Sequence, residues 1–290
     1  MKLGTHSQTF HADDVYATVF LLHVYNDAEI VRSREEDVLK SCDIVYDVGR
    51  GKYDHHSRDK MYRENGIPYA ASGLIWRDFG KQIIKNAGIQ EADVIETIAR
   101  EIDEEMVQPL DAIDNGIEIE KSLPILDIAS VVRLMNPAWD AEDSEDEAFQ
   151  KAVSITNVIF SEYLNKKLAG YRAVPIVKRA FETREMSQLL VLPKGCPWEK
   201  TLLRLDQKKE VLFVITPRKN GQFTIQSVPP QSGSFAKRKP FPDDWGGLEG
   251  KQLESVTGVP GSVFCHTGLW LAVAASLDGA IQLAKLAIDA

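Results

Sequence analysis

The chain has 290 residues, of which 44% are hydrophobic and 27% are charged. This balance is typical of a globular protein and excludes the disordered class, and the length predicts about two domains. The net charge of -9 argues against a basic surface that wraps duplex DNA, although bound cations could still attract a small nucleic acid.

The chain lacks the features of secreted and membrane proteins. Its three cysteines are widely spaced, which argues against a disulfide framework. It lacks a signal-like N-terminal segment, and no stretch approaches the roughly 20 apolar residues that cross a bilayer. The sequence therefore predicts a cytoplasmic protein that does not span a membrane.

The N-terminal half alternates strand-like and helix-like segments, which favours a parallel α/β sheet. Short apolar runs predict strands at residues 2–6, 29–32 and 43–48. Apolar periodicity predicts helices at residues 13–25, 34–40, 70–87 and 91–113.

The pattern changes in the second half. A helix is predicted over residues 144–168, and its periodicity continues to residue 181 with an expected break near Pro175. Strands are predicted at residues 189–192, 211–216, 223–228 and 262–266. Residues 227–245 are predicted to form a long loop, and residues 269–290 an interrupted helix.

Histidine and aspartate are concentrated where predicted strands end. His6, Asp47 and the run Asp54-His55-His56 each follow a strand, and His11 and Asp13 precede or open the first helix. Ligands of an open parallel sheet bind beyond the carboxyl ends of its strands, so these side chains are expected to converge. Imidazole and carboxylate together suit Mn²⁺, Fe²⁺ or Zn²⁺.

One of these carboxylates is a candidate to bridge two cations. Asp47 stands alone at the end of a buried strand, as a bridge in a two-metal hydrolytic site would. Asp111 and Asp114 are three residues apart and share a helix face. Taken singly, Asp13 could only cap a helix and the other two could be solvated; taken together, the set favours a metal centre.

Several motifs resemble those of the Myg family of the DHH phosphoesterase superfamily, and they extend over nearly the whole chain. The motifs are Thr5-His6-x-x-Thr9-Phe10-His11-x-Asp13, Tyr46-Asp47-Val48-Gly49, Tyr53-Asp54-His55-His56, Ala71-Ser72-Gly73-Leu74, Asp111-Ala112-Ile113-Asp114-Asn115-Gly116, Asn136-Pro137-x-Trp139, Pro242-x-x-Trp245-x-Gly247-Leu248 and Phe264-x-His266.

The resemblance implies an α/β protein with a DHH-type parallel-sheet catalytic domain (residues 1–140), a helical connection (141–186) and a smaller mixed α/β substrate domain (187–290). It implies two divalent ions, with Mn²⁺ favoured and Mg²⁺, Fe²⁺ or Zn²⁺ as alternatives. The metal ligands would be His6, His11, Asp13, Asp47, His55 and one or both of Asp111 and Asp114.

The same resemblance implies the chemistry. His56 would face the substrate phosphate and Asp54 would orient a histidine, so that both join Asp47 as catalytic residues. The expected activity is 3′–5′ exonuclease cleavage of RNA or short oligonucleotides by two-metal hydrolysis.

The substrate side of the site is predicted less directly. Candidate substrate-binding residues are His56, Arg58, Arg238, Lys239 and His266, although the basic loop near residue 238 could equally be solvated. Trp139 and Trp245 could stack on bases, but core packing is favoured for both.

Three alternatives remain open at this point. The same site could hydrolyse a small nucleotide or phosphoanhydride, or the chain could be a regulatory module that binds metal without turnover. A protein hydrolase has little support, because no His-Glu-x-x-His motif occurs. The expected partner is single-stranded RNA or an oligonucleotide, and the formation of a homo-oligomer is left open.

Overall fold

The computed structural model describes residues 1–56, 59–118 and 125–290, which divide into two compact units, residues 1–165 and 166–290. A parallel sheet lies in the first unit and a mixed sheet in the second. The predicted α/β class is therefore confirmed. The finer division at residues 140 and 186 stays a prediction. None of the described helices has the length and apolar character needed to cross a membrane.

The sheet of the first unit has the strand order β2-β1-β3, with both pairs parallel. The strands are β1 (Lys2–Thr5), β2 (Glu29–Arg32) and β3 (Ile44–Val45). The helices are α1 (Ala12–Leu22), α2 (Glu36–Lys40), α3 (Ala71–Asn86), α4 (Ala92–Ile102), α5 (Gln108–Asp114), α6 (Ile128–Arg133) and α7 (Glu145–Glu182), which continues into the second unit. A π-helical turn, Asp103–Val107, joins α4 to α5.

Helix α1 is the centre of this unit's core. Residues 12–21 are all buried, as expected for a helix that is apolar on most sides and packed on several neighbours. The Phe20 ring lies 4.9 Å from Trp76 of α3 and 4.9 Å from Phe160 of α7, measured between ring centroids. The N-terminus of α1 is thereby fixed beside the carboxyl ends of β1 and β3.

The second unit contains a five-stranded sheet with the order β4-β5-β6-β8-β7. Its strands are β4 (Leu189–Val191), β5 (Phe213–Pro217), β6 (Phe223–Ser227), β7 (Ser262–Cys265) and β8 (Leu271–Ala274). Its helices are the end of α7, α8 (Glu199–Leu205), α9 (Gly250–Thr257) and α10 (Leu277–Asp289). Of the strand pairs described in this sheet, β4–β5 is parallel and the others are antiparallel.

Two expectations about this part of the chain are wrong. Helix α7 continues through Pro175, because the buried side chains of Ala173 and Val177 on either side fix it by tertiary packing. Residues 271–274 form β8 and not a helix, since their backbone pairs with β6 and β7. A short apolar run carries no periodicity that separates the two structures.

Candidate metal centre

The first pair of site residues follows two parallel strands and lies at one edge of the sheet. His6 directly follows β1, and Asp47 lies two residues beyond the neighbouring β3. The Nε2 atom of His6 is 3.2 Å from Oδ2 of Asp47. This is the convergence expected of side chains that follow adjacent parallel strands.

The backbone of Asp47 is held in an unusual conformation. Its φ of 56° lies in the left-handed region, which costs free energy for a residue with a side chain. The Asp47 N–H donates a 2.9 Å hydrogen bond to the Tyr53 carbonyl oxygen. This turn brings residues 54–56 back toward the end of β3, so the strain is located where the site is assembled.

A first cluster consists of His6, Asp47 and Asp14. Oδ2 of Asp14 is 3.3 Å from His6 Nε2, while its Oδ1 accepts a 2.9 Å hydrogen bond from the His11 N–H. Nδ1 of His6 lies 3.1 Å from the Ser7 carbonyl oxygen. A proton on Nδ1 would leave the Nε2 lone pair available to a cation. Asp14 was not among the residues predicted from the sequence, although its place three residues after His11 is that of a helix-capping acid.

A second cluster is built from Asp47, Asp54, His55 and His56. Nδ1 of His55 is 3.3 Å from Asp47 Oδ1, and Nδ1 of His56 is 3.6 Å from the same oxygen. Oδ1 of Asp54 is 2.8 Å from His56 Nδ1 and accepts a 3.0 Å hydrogen bond from the His56 N–H. Asp54 therefore fixes the orientation of His56, whose side chain is 60% exposed.

A third cluster contains His11, Asp13 and Asp114, which offer ligand atoms within 4.8 Å of one another. It is continuous with the second, because His55 Nε2 is 3.0 Å from Asp114 Oδ2 and His55 Nδ1 is 4.0 Å from Asp13 Oδ2. The structure thus brings together the predicted ligands of β1, α1, β3, the following turn and α5.

The pKa values reflect this concentration of charge. Burial, and then the charges of Asp47, Asp114 and Asp14, raise the pKa of Asp13 well above its usual range. Burial raises the pKa of Asp14 to about 7. Burial alone would also raise the pKa of Asp47, but the adjacent imidazoles of His55 and His6 outweigh it and lower that pKa to about 2. Asp47 is therefore ionised at neutral pH, unlike the neighbouring Asp13, whose pKa is raised.

The buried donor atoms fit divalent cations. Among the described residues, both carboxylate oxygens of Asp13, Oδ2 of Asp14, Oδ1 of Asp47 and Nδ1 of His55 are buried without a hydrogen-bond partner. A buried polar atom without a partner costs about 1–3 kcal/mol, and more if it is charged. Cations would satisfy these atoms and offset the repulsion among the carboxylates.

Of the two aspartates of α5, only Asp114 joins the clusters. Asp111 is fully buried, 2.8 Å from Arg63 Nη1, and it accepts hydrogen bonds from Ser72 Oγ (2.7 Å) and the Gly73 N–H (2.9 Å). A Cβ atom on Gly73 would lie only 1.8 Å from Asp111 Oδ2, so this close approach requires glycine. Asp111 therefore connects α3 to α5 and is not part of the three clusters.

A cavity of about 1300 Å³ opens over these clusters. Most of the clustered carboxylates and histidines lie on its wall, and the described cationic residues there are Arg34, Arg50, Lys60 and Arg133. The acidic set could hold cations, and the basic set could bind the phosphates of a substrate.

The remaining predicted substrate residues have different positions. Arg58 lies outside the described residues. Arg238 is engaged within the second unit, where its Nη1 pairs with the buried Asp206 and donates a 2.9 Å hydrogen bond to the Val211 carbonyl oxygen. The Lys239 carbonyl accepts a hydrogen bond from Ser227 Oγ. His266 Nδ1 accepts a 2.9 Å bond from the Gly268 N–H.

Residues 2–288 match the model of the MYG1_exonuc family, described as an uncharacterised protein family (UPF0160). The chain is 34% identical to the MYG1 exonuclease of Homo sapiens, an alignment that covers 98% of this chain and 85% of that protein. It is 31% identical to a MYG1 protein of Schizosaccharomyces pombe, and that alignment covers 100% of this chain and 98% of that protein. Among solved structures, RecJ of Thermus thermophilus in complex with Mn²⁺ matches with a TM-score of 0.29, 12% identity, and coverage of 100% of this chain and 52% of that chain.

Proposed function

The chain belongs to the MYG1_exonuc family, and we propose that it is a metal-dependent hydrolase of phosphodiester bonds. In detail, we propose a 3′–5′ exonuclease that acts on single-stranded RNA or short oligonucleotides by two-metal hydrolysis. The mammalian relatives are named MYG1 exonuclease, which supports the reaction class. The geometry of the site supports the mechanism.

The observation that carries the proposal is the position of Asp47 between two groups of candidate ligands. Its Oδ2 faces His6, and its Oδ1 faces His55. His6, Asp14 and Asp47 would hold one cation, and Asp47, His55, Asp13 and Asp114 would hold the other. When bound, such a pair stabilises the negative charge that develops on the attacking and leaving oxygens of a phosphodiester.

Side chains outside the proposed ligand set are assigned to substrate. The exposed imidazole of His56, held by Asp54, would donate a hydrogen bond or a proton to a phosphate oxygen. Arg34, Arg50 and Lys60 line the same cavity and would bind neighbouring phosphates.

The cavity volume favours an oligonucleotide over a small phosphoanhydride. At about 1300 Å³ it exceeds the roughly 300–1000 Å³ that is usual for small-molecule sites. We propose Mn²⁺ as the natural cation because histidine and carboxylate ligands occur together. The cytoplasmic location stays a prediction from the sequence.

The test is a cleavage assay on a single-stranded RNA of about 20 nucleotides with Mn²⁺. A 5′ end label should give a ladder of shortening products, and a 3′ label should be released as a mononucleotide. Asp47→Asn should be inactive, because it removes the charge while asparagine tolerates the same left-handed backbone. Asp37→Asn, in the fully exposed position 37 of α2, is the matched control and should retain activity.

Other outcomes would point to the alternatives. Hydrolysis of a small nucleotide without cleavage of RNA would replace the exonuclease by a nucleotide hydrolase. Stoichiometric metal without turnover of any phosphoester would support a regulatory module.

A further inference from the structure

A tryptophan of the first unit is almost completely exposed. Trp139 follows α6 in the first unit and has 96% of its surface open to solvent, contrary to the expected core position. Trp245, by contrast, is 4% exposed, as expected. An indole is among the largest apolar side chains, so full exposure forgoes a substantial gain in burial. A ligand that covers the ring would recover this gain.

The segment that carries this indole is attached to the metal centre. The Phe10 N–H donates a 2.9 Å hydrogen bond to Asn136 Oδ1, and Asn136 Nδ2 donates a 2.9 Å bond to the Phe10 carbonyl oxygen. Phe10 precedes the candidate ligand His11. Three residues of chain span at most about 11 Å, so Trp139 is held within about two nucleotides of this wall of the cavity.

Along the chain, a cation precedes the indole, and the acidic residues Asp140, Glu142 and Asp143 follow it. Arg133, the last residue of α6, is exposed and lines the cavity. It supplies a positive charge on the cavity wall ahead of the 134–139 segment, so a phosphate is expected on this side of the indole.

We propose that Arg133 and Trp139 form a nucleic-acid subsite outside the metal centre. Arg133 binds a backbone phosphate, and the Trp139 indole stacks on an unpaired base upstream of the scissile bond. The inference rests on the proposed function, because it takes single-stranded RNA as the substrate. It adds the binding element that would distinguish an oligonucleotide from a small phosphodiester.

Binding is tested on the full chain with Mn²⁺ and a fluorescent RNA octamer whose phosphorothioate linkages resist cleavage. Trp139→Ala should weaken binding about 5- to 150-fold, which corresponds to the roughly 1–3 kcal/mol of one base–aromatic stack. Trp139→Phe should keep most of the affinity. The matched control is Leu134→Ala, which removes a 70% exposed apolar side chain from the same segment without removing a ring; it should bind like the wild type.

A scan with abasic nucleotides separates stacking from a structural effect. In the wild type, one abasic position should weaken binding, and in Trp139→Ala that penalty should disappear. Wild-type affinity in Trp139→Ala, or a penalty that persists in it, would overturn the subsite. An equal loss in Leu134→Ala would also overturn it, because the effect would then not depend on an aromatic ring.

Hydrolysis of bis(p-nitrophenyl) phosphate separates this inference from the proposed function. A chain that binds RNA through Trp139 but hydrolyses neither this diester nor RNA retains the subsite and loses the proposed activity. A chain that hydrolyses both but binds RNA equally well without Trp139 keeps the activity and loses the subsite.

Discussion

The two aspartates of α5 should have opposite effects on stability and on metal binding. Asp111 lies in a buried network with Arg63, Ser72 and Gly73, whereas Asp114 faces His55. Asp111→Ala should therefore destabilise the fold and leave the metal stoichiometry at two. Asp114→Ala should leave the stability of the fold nearly unchanged and weaken metal binding.

The magnitude follows from the contacts that each change removes. Asp111→Ala leaves Arg63 Nη1, Ser72 Oγ and the Gly73 N–H without their acceptor. Removal of one partner of a buried ion pair costs about 3–5 kcal/mol. Because Arg63 keeps two bonds to Asp103, of 3.0 and 2.7 Å, we expect about 3 kcal/mol. Asp114→Ala removes one carboxylate from a crowded acidic cluster and should change the stability of the metal-free protein by less than about 1 kcal/mol.

The assay is urea unfolding of the metal-free proteins, followed by elemental analysis of folded protein after incubation with Mn²⁺. We expect Asp114→Ala to lose at least one ion or to bind it at least about tenfold more weakly. Loss of metal in Asp111→Ala with unchanged unfolding, together with full occupancy in Asp114→Ala, would refute the assignment.

Three further predictions concern the same site. The free energy of unfolding of the metal-free protein should fall as pH rises from about 4 to 9. In the folded state Asp14 (pKa about 7) and His55 (pKa about 9) hold protons that the unfolded chain releases at lower pH. A urea midpoint that stays constant across this range would contradict the charge assignment. Gly73→Ala should unfold at a lower temperature than wild type in a calorimetric scan, since its Cβ would meet a buried carboxylate; an unchanged midpoint would show that the contact is not rigid. His56→Gln should lower kcat for RNA about 100-fold or more with Mn²⁺ stoichiometry intact, and Asp54→Asn should lose part of that rate; full activity in both would remove His56 from the reaction.

The ends of the strands could be predicted from the sequence. Most of the candidate metal ligands could be predicted with them, because they follow those strands. Apolar runs followed by His6 and Asp47 indicate both the sheet and the edge where ligands bind, and the structure has both side chains within 3.2 Å. The parallel class follows from the alternation of strands and helices. These features are local, so the sequence carries them directly.

Features that depend on tertiary neighbours could not be predicted in this way. Asp111 and Asp114 are equivalent in sequence, and only the approach of Gly73 and Arg63 separates them. Asp14 resembles an ordinary acid in the first turn of a helix until His6 is placed beside it. Trp139 was expected in the core because large aromatic side chains are usually buried, and no local pattern marks an exposed one.

The most direct test of the account is the anomalous scattering of manganese in crystals grown with Mn²⁺. Two peaks about 4 Å apart are expected, one beside His6 and the other beside His55, with the Asp47 carboxylate between them. A single peak, or two peaks that do not share Asp47, would contradict the two-cation site.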